Sequence, residues 1–206
     1  MTATSYVQGQ TGRLETRLTV PPTPKVGQVA VVCHPHPLVG GTMDNKVVTT
    51  VVRAFKEAGI PVVIFNFRGV GHSEGVHDNG NGEIDDAVAV ITWALAQTQA
   101  SELYLAGFSF GAYIAAATVS RLSALPVQLK QLWLIAPPVH HYPMANLQLP
   151  TSAMVIQGDA DEVVPAEEVF SWAQQQALTV IRFAECSHFF HGRLTELRQR
   201  ILENLV

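Results

Sequence analysis

Cysteine is scarce in this chain. Cys33 and Cys186 are the only two, too few for a disulfide framework or a thiolate zinc site. Charge is scarce too: 15 % of the residues are charged and the net charge is −4. No lysine and arginine cluster forms the basic stripe that a polyanion requires, so nucleic acid is excluded as a partner. No apolar stretch reaches the roughly eighteen residues of a membrane-spanning helix, and no membrane partner is expected. The opening Met1-Thr2-Ala3-Thr4-Ser5-Tyr6 has neither the basic start nor the apolar core of a signal peptide, and the expected compartment is the cytoplasm. Internal repeats, low-complexity tracts and linker-like boundaries are missing, which leaves one domain over residues 1–206. Heptads and exposed apolar stripes are missing as well, so nothing in the sequence bears on oligomeric state.

What is present is apolar sequence in short pieces. Hydrophobic residues make up 48 % of the chain, far from the composition of a disordered one. After an antiparallel start at 6–7 and 14–20, apolar runs occur at 29–33, 62–67, 103–106, 132–136, 153–157 and 179–183. Helix-length amphipathic segments lie between and after them at 45–58, 83–97, 110–122, 166–176 and 192–205. Strands that are apolar without alternation, and separated by helices, predict an α/β fold. Its sheet is mostly parallel and twisted, with helices on both faces and antiparallel strands at the N-terminus. In such a sheet the functional loops gather at the carboxyl ends of the strands.

One such end carries Gly107-Phe108-Ser109-Phe110-Gly111, between a buried strand and a helix opening on Ala112-Tyr113-Ile114-Ala115. A Gly-x-Ser-x-Gly turn in that context projects its serine as a nucleophile, and the glycines allow strand and helix to approach closely. Ser109 is therefore the candidate nucleophile. A serine hydroxyl needs a base, and the base needs an orienting acid. The strand 153–157 runs into Gly158-Asp159-Ala160-Asp161, so either aspartate can serve. Asp161 is favoured because Asp159, nearer the turn, is better placed to stabilise it. The last strand runs into a loop with His188 and His191; His188 sits on the loop, whereas His191 enters the final helix. His188 is the candidate base.

The acyl oxyanion requires two aimed amides. One follows the nucleophile, at Phe110. The other comes from the loop His34-Pro35-His36-Pro37-Leu38-Val39-Gly40-Gly41. Proline has no N–H, so Pro35 and Pro37 are excluded. His36 and Leu38 remain, with His36 the first choice through its backbone. A metal at His34 and His36 lacks the carboxylate-rich partner set it would need, and no metal or organic cofactor is expected. The segment Arg68-Gly69-Val70-Gly71-His72-Ser73-Glu74-Gly75 superficially suggests a dinucleotide loop. Its third glycine is one position late and no helix follows directly, so it reads as a glycine-shaped loop packed beside the site.

On these residues the chain resembles the α/β-hydrolase superfamily over almost its whole length. The shared features are the Ser109 turn, the Phe67-Arg68-Gly69-Val70-Gly71-His72-Ser73 loop and residues 158–165. The string from His34 to Lys46 is similar to that of a small bacterial group of lidless hydrolases, although many relatives have His-Gly where this chain has His34-Pro35. The resemblance implies a triad of Ser109, Asp161 and His188, and no cap domain. Without a cap the site is open to a small-molecule ester or other accessible acyl substrate. Leu38, Val39, Phe110, His140, Tyr142 and Met144 are the candidates for its walls; as an apolar set they are equally candidates for packing. A serine carboxylesterase is the leading expectation. A thioesterase, peptidase or acyltransferase of the same fold is the alternative within enzymes, and a non-catalytic binding protein the alternative outside them.

Overall fold

Strands with apolar side chains on both faces need cover on both faces, and the arrangement of elements provides it. The computed structural model describes residues 2–206. Its strands are β1 (Thr2–Gly9), β2 (Gly12–Thr19), β3 (Gln28–Cys33), β4 (Val62–Phe65), β5 (Glu102–Phe108), β6 (Gln128–Ile135), β7 (Ala153–Gly158) and β8 (Thr179–Phe183). The helices are α1 (Lys46–Glu57), α2 (Asn81–Thr98), α3 (Phe110–Thr118), α4 (Ala166–Gln175) and α5 (Leu194–Glu203). All eight strands join one sheet in the order β1-β2-β4-β3-β5-β6-β7-β8. The β1–β2 hairpin is antiparallel and meets β4 antiparallel, whereas β3 to β8 pair in parallel.

Successive strand residues point to opposite faces, and the two cores divide accordingly. Val29, Val31, Leu103 and Leu105 pack with α2, α3 and α4 on one face. Ala30, Val32, Tyr104 and Ala106 pack with α1 and α5 on the other. None of the helices among the described residues is long and apolar enough to cross a membrane. Between β6 and β7 the chain makes a short loop with one 3₁₀ turn, Met144–Asn146, and no inserted domain.

The elements anticipated from sequence are all present, with boundaries moved for local reasons. Strand β4 ends just past Phe65: Asn66 still donates to the Glu15 carbonyl of β2 at 2.9 Å, but the next amide leaves the ladder, Phe67 donating to His34 Nε2 at 3.0 Å. Helix α2 starts two residues before Glu83. The Glu83 carboxylate reaches back to the Gly80 and Asp78 amides, both at 2.9 Å, and so caps the helix. Helix α3 tightens after Thr118 into a 3₁₀ segment, Val119–Ala124, ahead of Pro126, whose ring disfavours helical geometry at Leu125. Helix α4 starts at Ala166 as anticipated, with Pro165 at its N-cap.

The glycine-rich loop after β4 packs as expected and is tied down from both sides. Ser73 Oγ donates to the Asn66 carbonyl (2.6 Å) and accepts from the Glu15 amide (2.8 Å). On the α2 side, Arg68 grips Asp86 with Nε at 2.9 Å, Nη2 at 2.7 Å and its own amide at 3.1 Å. Both side chains are buried, at 5 % and 0 % exposure. Burial pushes the Asp86 carboxyl up, against the pull of Arg68. Removing one partner of such a pair strands the other charge in the interior. Arg68→Met should therefore cost about 3–5 kcal/mol in urea unfolding, and the double variant Arg68→Met/Asp86→Leu should recover most of it.

Candidate active site

The loops that carry the candidate residues leave the sheet at the carboxyl ends of β3, β5, β7 and β8, beside the loop after β4. The strand order reverses between β3 and β5, since the chain moves from β3 outward to β4 and then returns across β3 to β5. Such a switch point opens a crevice between two diverging loops. Here those are the loop at His34 to Gly41 and the turn at Ser109.

Ser109 has φ 54° and ψ −122°, a left-handed conformation that side chains rarely adopt and that costs about 1–3 kcal/mol. The turn is held by close backbone packing. A Cβ at Gly107 would lie 2.0 Å from the Gly111 carbonyl oxygen, and one at Gly111 would lie 2.3 Å from that of Cys33. Only hydrogen fits at either place. The Ser109 amide is anchored on the Ile135 carbonyl at 2.8 Å.

The hydroxyl so projected meets the two groups anticipated for it. Ser109 Oγ lies 3.1 Å from His188 Nε2. His188 Nδ1 lies 2.8 Å from Asp161 Oδ2. The Asp161 carboxylate also accepts the Val163 and Val164 amides, at 2.9 and 2.7 Å. Burial pushes this carboxyl up, but the His188 hydrogen bond and the Val164 amide outweigh it and hold Asp161 below the usual carboxylate value. Asp159 stands apart and accepts the Glu185 amide, linking the turns after β7 and β8. His191 lies beyond this chain of contacts, exposed beside Phe189. The backbone of His188 is fixed separately, its amide donating to Glu162 Oε2 at 3.1 Å.

The His34 loop divides its amides unequally. Leu38 donates to His36 Nδ1 at 3.2 Å, capping the 3₁₀ turn Pro37–Val39. Val39 and Gly41 donate to the His36 carbonyl at 3.3 and 3.0 Å, and Gly40 to that of Pro37 at 3.2 Å. The amide of Leu38 is thus already committed, which removes it from the two candidates. Among the described residues, the His36 amide and the helix-leading Phe110 amide have no protein acceptor.

Around Ser109 opens a cleft of about 870 Å³, lined by His36, Val39, Phe110, Tyr142, Val163 and Phe189 among others. Of the wall residues anticipated from the sequence, Val39, Phe110 and Tyr142 are in place. Three are not. Leu38 points outward, 73 % exposed, because the 3₁₀ turn rotates it off the crevice. His140 turns toward Glu168 (3.9 Å), leaving its neighbour His141 on the cleft. Met144 is wholly buried in the core beneath α3, because its apolar side chain fills space under the short β6–β7 loop.

A family model described as the alpha/beta hydrolase fold matches residues 38–153. The chain belongs to the α/β-hydrolase family. It is 35 % identical to an uncharacterized protein of Rickettsia prowazekii, over 98 % of this chain and 87 % of that one. A Xanthomonas campestris structure described as an a/b serine hydrolase without lid is 42 % identical with TM-score 0.92, covering 98 % of this chain and 93 % of the other. An alpha-beta serine hydrolase homologue from Coxiella burnetii is 43 % identical with TM-score 0.90, covering 99 % and 97 %. The short β6–β7 loop of this α/β hydrolase agrees with the lidless description of the first.

Sequence reasoning missed several cleft residues of this hydrolase: Asn45, Asn79, His141, Val163 and Phe189. Only Asn79 carried a local signal. Asn79-Gly80 is a turn dipeptide, and Asn79 indeed has φ 53°. A buried pair behind the cleft was also missed: His77 Nδ1 lies 2.8 Å from Glu83 Oε1, and the His77 ring lies 5.0 Å from that of His36.

His34 has a structural part. Nε2 accepts the Phe67 amide at 3.0 Å, so Nδ1 carries the hydrogen and donates to the Pro35 carbonyl at 2.6 Å. Both ring nitrogens are occupied. Burial drives its pKa from 6.5 down to about 4. The folded state therefore resists a proton that the unfolded chain accepts. The stability His34 contributes is present above about pH 6.5 and is lost as pH falls toward about 4. The loss should total roughly 3 kcal/mol. Urea midpoints measured across that window should fall less steeply for His34→Gln than for wild type.

Proposed function

We propose that this α/β hydrolase is a serine carboxylesterase working through Ser109, His188 and Asp161. The observation that carries the reading is the continuous hydrogen-bonded line from Ser109 Oγ through the His188 ring to the buried Asp161 carboxylate. Ser109 Oγ attacks the acyl carbonyl while His188 Nε2 takes its proton. The imidazolium so formed is held in register by Asp161 through Nδ1–H. The amides of Phe110 and His36 donate to the oxyanion of the tetrahedral intermediate, each worth about 3–4 kcal/mol of barrier in comparable sites. His188 returns the proton to the departing alcohol oxygen. A water then attacks the acyl-enzyme with His188 as base, releasing the acid and restoring Ser109.

The cleft supports an ester of modest size. Among the described residues, its walls carry no lysine, arginine, aspartate or glutamate, so the acyl group it receives is uncharged and largely apolar. It is open to solvent, which suits a substrate that arrives freely or projects from a larger molecule. Such pockets bind through apolar contact, with a few polar groups fixing orientation.

Wild-type protein treated with a fluorophosphonate should gain one covalent adduct, located by peptide mass at Ser109, and Ser109→Ala should gain none. On simple aryl esters, Asp161→Asn should lower kcat by about 10⁴-fold with the fold intact, because the imidazole loses its oriented tautomer. A wild-type protein that takes no label and hydrolyses esters no faster than Ser109→Ala would defeat the proposal.

A further inference from the structure

Gln157, the penultimate residue of β7, is a buried polar side chain that leaves one of its polar atoms unpaired. It is completely buried. Its Nε2 group donates to the Gly158 carbonyl at 3.1 Å and to Asp161 Oδ2 at 3.0 Å. Its Oε1 has no hydrogen-bond partner among the described residues. Buried amides normally satisfy both ends, and a polar atom left unpaired in the interior is costly. The orientation of the amide is nonetheless unambiguous. Rotating it by half a turn would aim Oε1 at two acceptors and leave Nε2 without either. The arrangement thus sacrifices the acceptor of Gln157 to place a donor on the carboxylate.

The oxygen that receives this donor is the one that binds His188 Nδ1. The other oxygen, Oδ1, is held by the Val163 and Val164 amides. Asp161 is therefore clamped at both oxygens, and among the described residues Gln157 supplies the only side-chain donor besides His188. Building on the triad reading above, we propose that Gln157 is a positioning residue that fixes the Asp161 carboxylate against His188 and limits how basic that carboxylate becomes. A hydrogen bond to a carboxylate favours its charged form and disperses the charge. Without it the oxygen facing His188 would be more basic and held by His188 alone. The imidazole would then be protonated more readily and held less accurately.

The other ionisable groups at this corner are engaged elsewhere. Asp159 accepts the Glu185 amide, and Glu162 accepts the His188 amide. The Cys186 thiol, pushed up by burial, lies 3.6 Å from the Ser187 carbonyl. Arg182, which pairs with Gln157 across β7 and β8, lays its guanidinium over the Phe170 ring at 3.7 Å.

The test compares wild type with Gln157→Met, similar in length but without a donor, on a simple aryl ester. Gln157→Met should lower kcat about tenfold with KM little changed. It should also move the acid limb of kcat/KM upward by about half to one pH unit, because neutral imidazole is lost at higher pH. A merely structural role would not move that limb. Gln157→Glu is the second variant. Its introduced carboxyl can donate to Asp161 only while protonated, so activity should fall along a new limb as pH rises and the pair becomes doubly charged. This variant carries the test by itself should Gln157→Met fail to fold. Wild-type labelling at Ser109 with the acid limb unmoved in Gln157→Met, or with no new limb in Gln157→Glu, overturns the assignment to Gln157 alone. An unlabelled wild type overturns the triad reading beneath it.

Discussion

Everything at the site depends on one backbone constraint, the left-handed turn at Ser109. The residue sits at φ 54° because β5, α3 and the end of β3 are packed so closely that carbonyl oxygens occupy the places of two side chains. Gly107 and Gly111 are there because nothing larger fits. The strain in the turn is offset by the burial around it, where β5 and α3 are almost wholly enclosed. In return the hydroxyl stands clear of the sheet, and the amide of Phe110 is left without a protein acceptor at the head of a helix.

A second economy concerns where polar groups are allowed into the interior. The protein buries few charges, and those near the site are surrounded by donors. Asp161 accepts two amides, an imidazole and the Gln157 side chain. Arg68 and Asp86 lock the glycine-rich loop to α2. Glu83 caps α2 and meets His77 behind the cleft. Each of these groups would be costly if left alone. Together they hold the loops at the carboxyl ends of the strands without a lid or a disulfide.

Much of this was legible in the residues. The non-alternating apolar runs foretold a sheet covered on both faces, and the Gly-x-Ser-x-Gly turn foretold the projecting serine. Proline's missing N–H narrowed the second amide to two positions. His36 was already the first choice of the two, but the contact that commits the Leu38 amide was not legible, because it is made by a side chain. His36 Nδ1 takes the Leu38 amide, and no spacing rule anticipates that bond. The wall residues were the weakest reading. Leu38, His140 and Met144 share the composition of the true walls, but each lies on a short turn whose rotation is decided by packing rather than by period. Gln157 reads as one more residue at the end of an apolar strand.

The sequence by itself determined the class of fold, the order of its elements, the projecting serine and the candidates that could assist it. Those follow from local physics: apolar periodicity, the steric demands of glycine and proline, and the order of loops along the chain. Only the tertiary structure decided which candidates meet. Ser109 and His188 are separated by 79 residues and Asp161 and His188 by 27, and their distances are set by how the parallel strands stagger and how the cores on either face fill. It also decided which amides stay free and which side chains turn outward. A hydrogen bond is lost over fractions of an ångström, and precision of that kind comes from packing many residues at once.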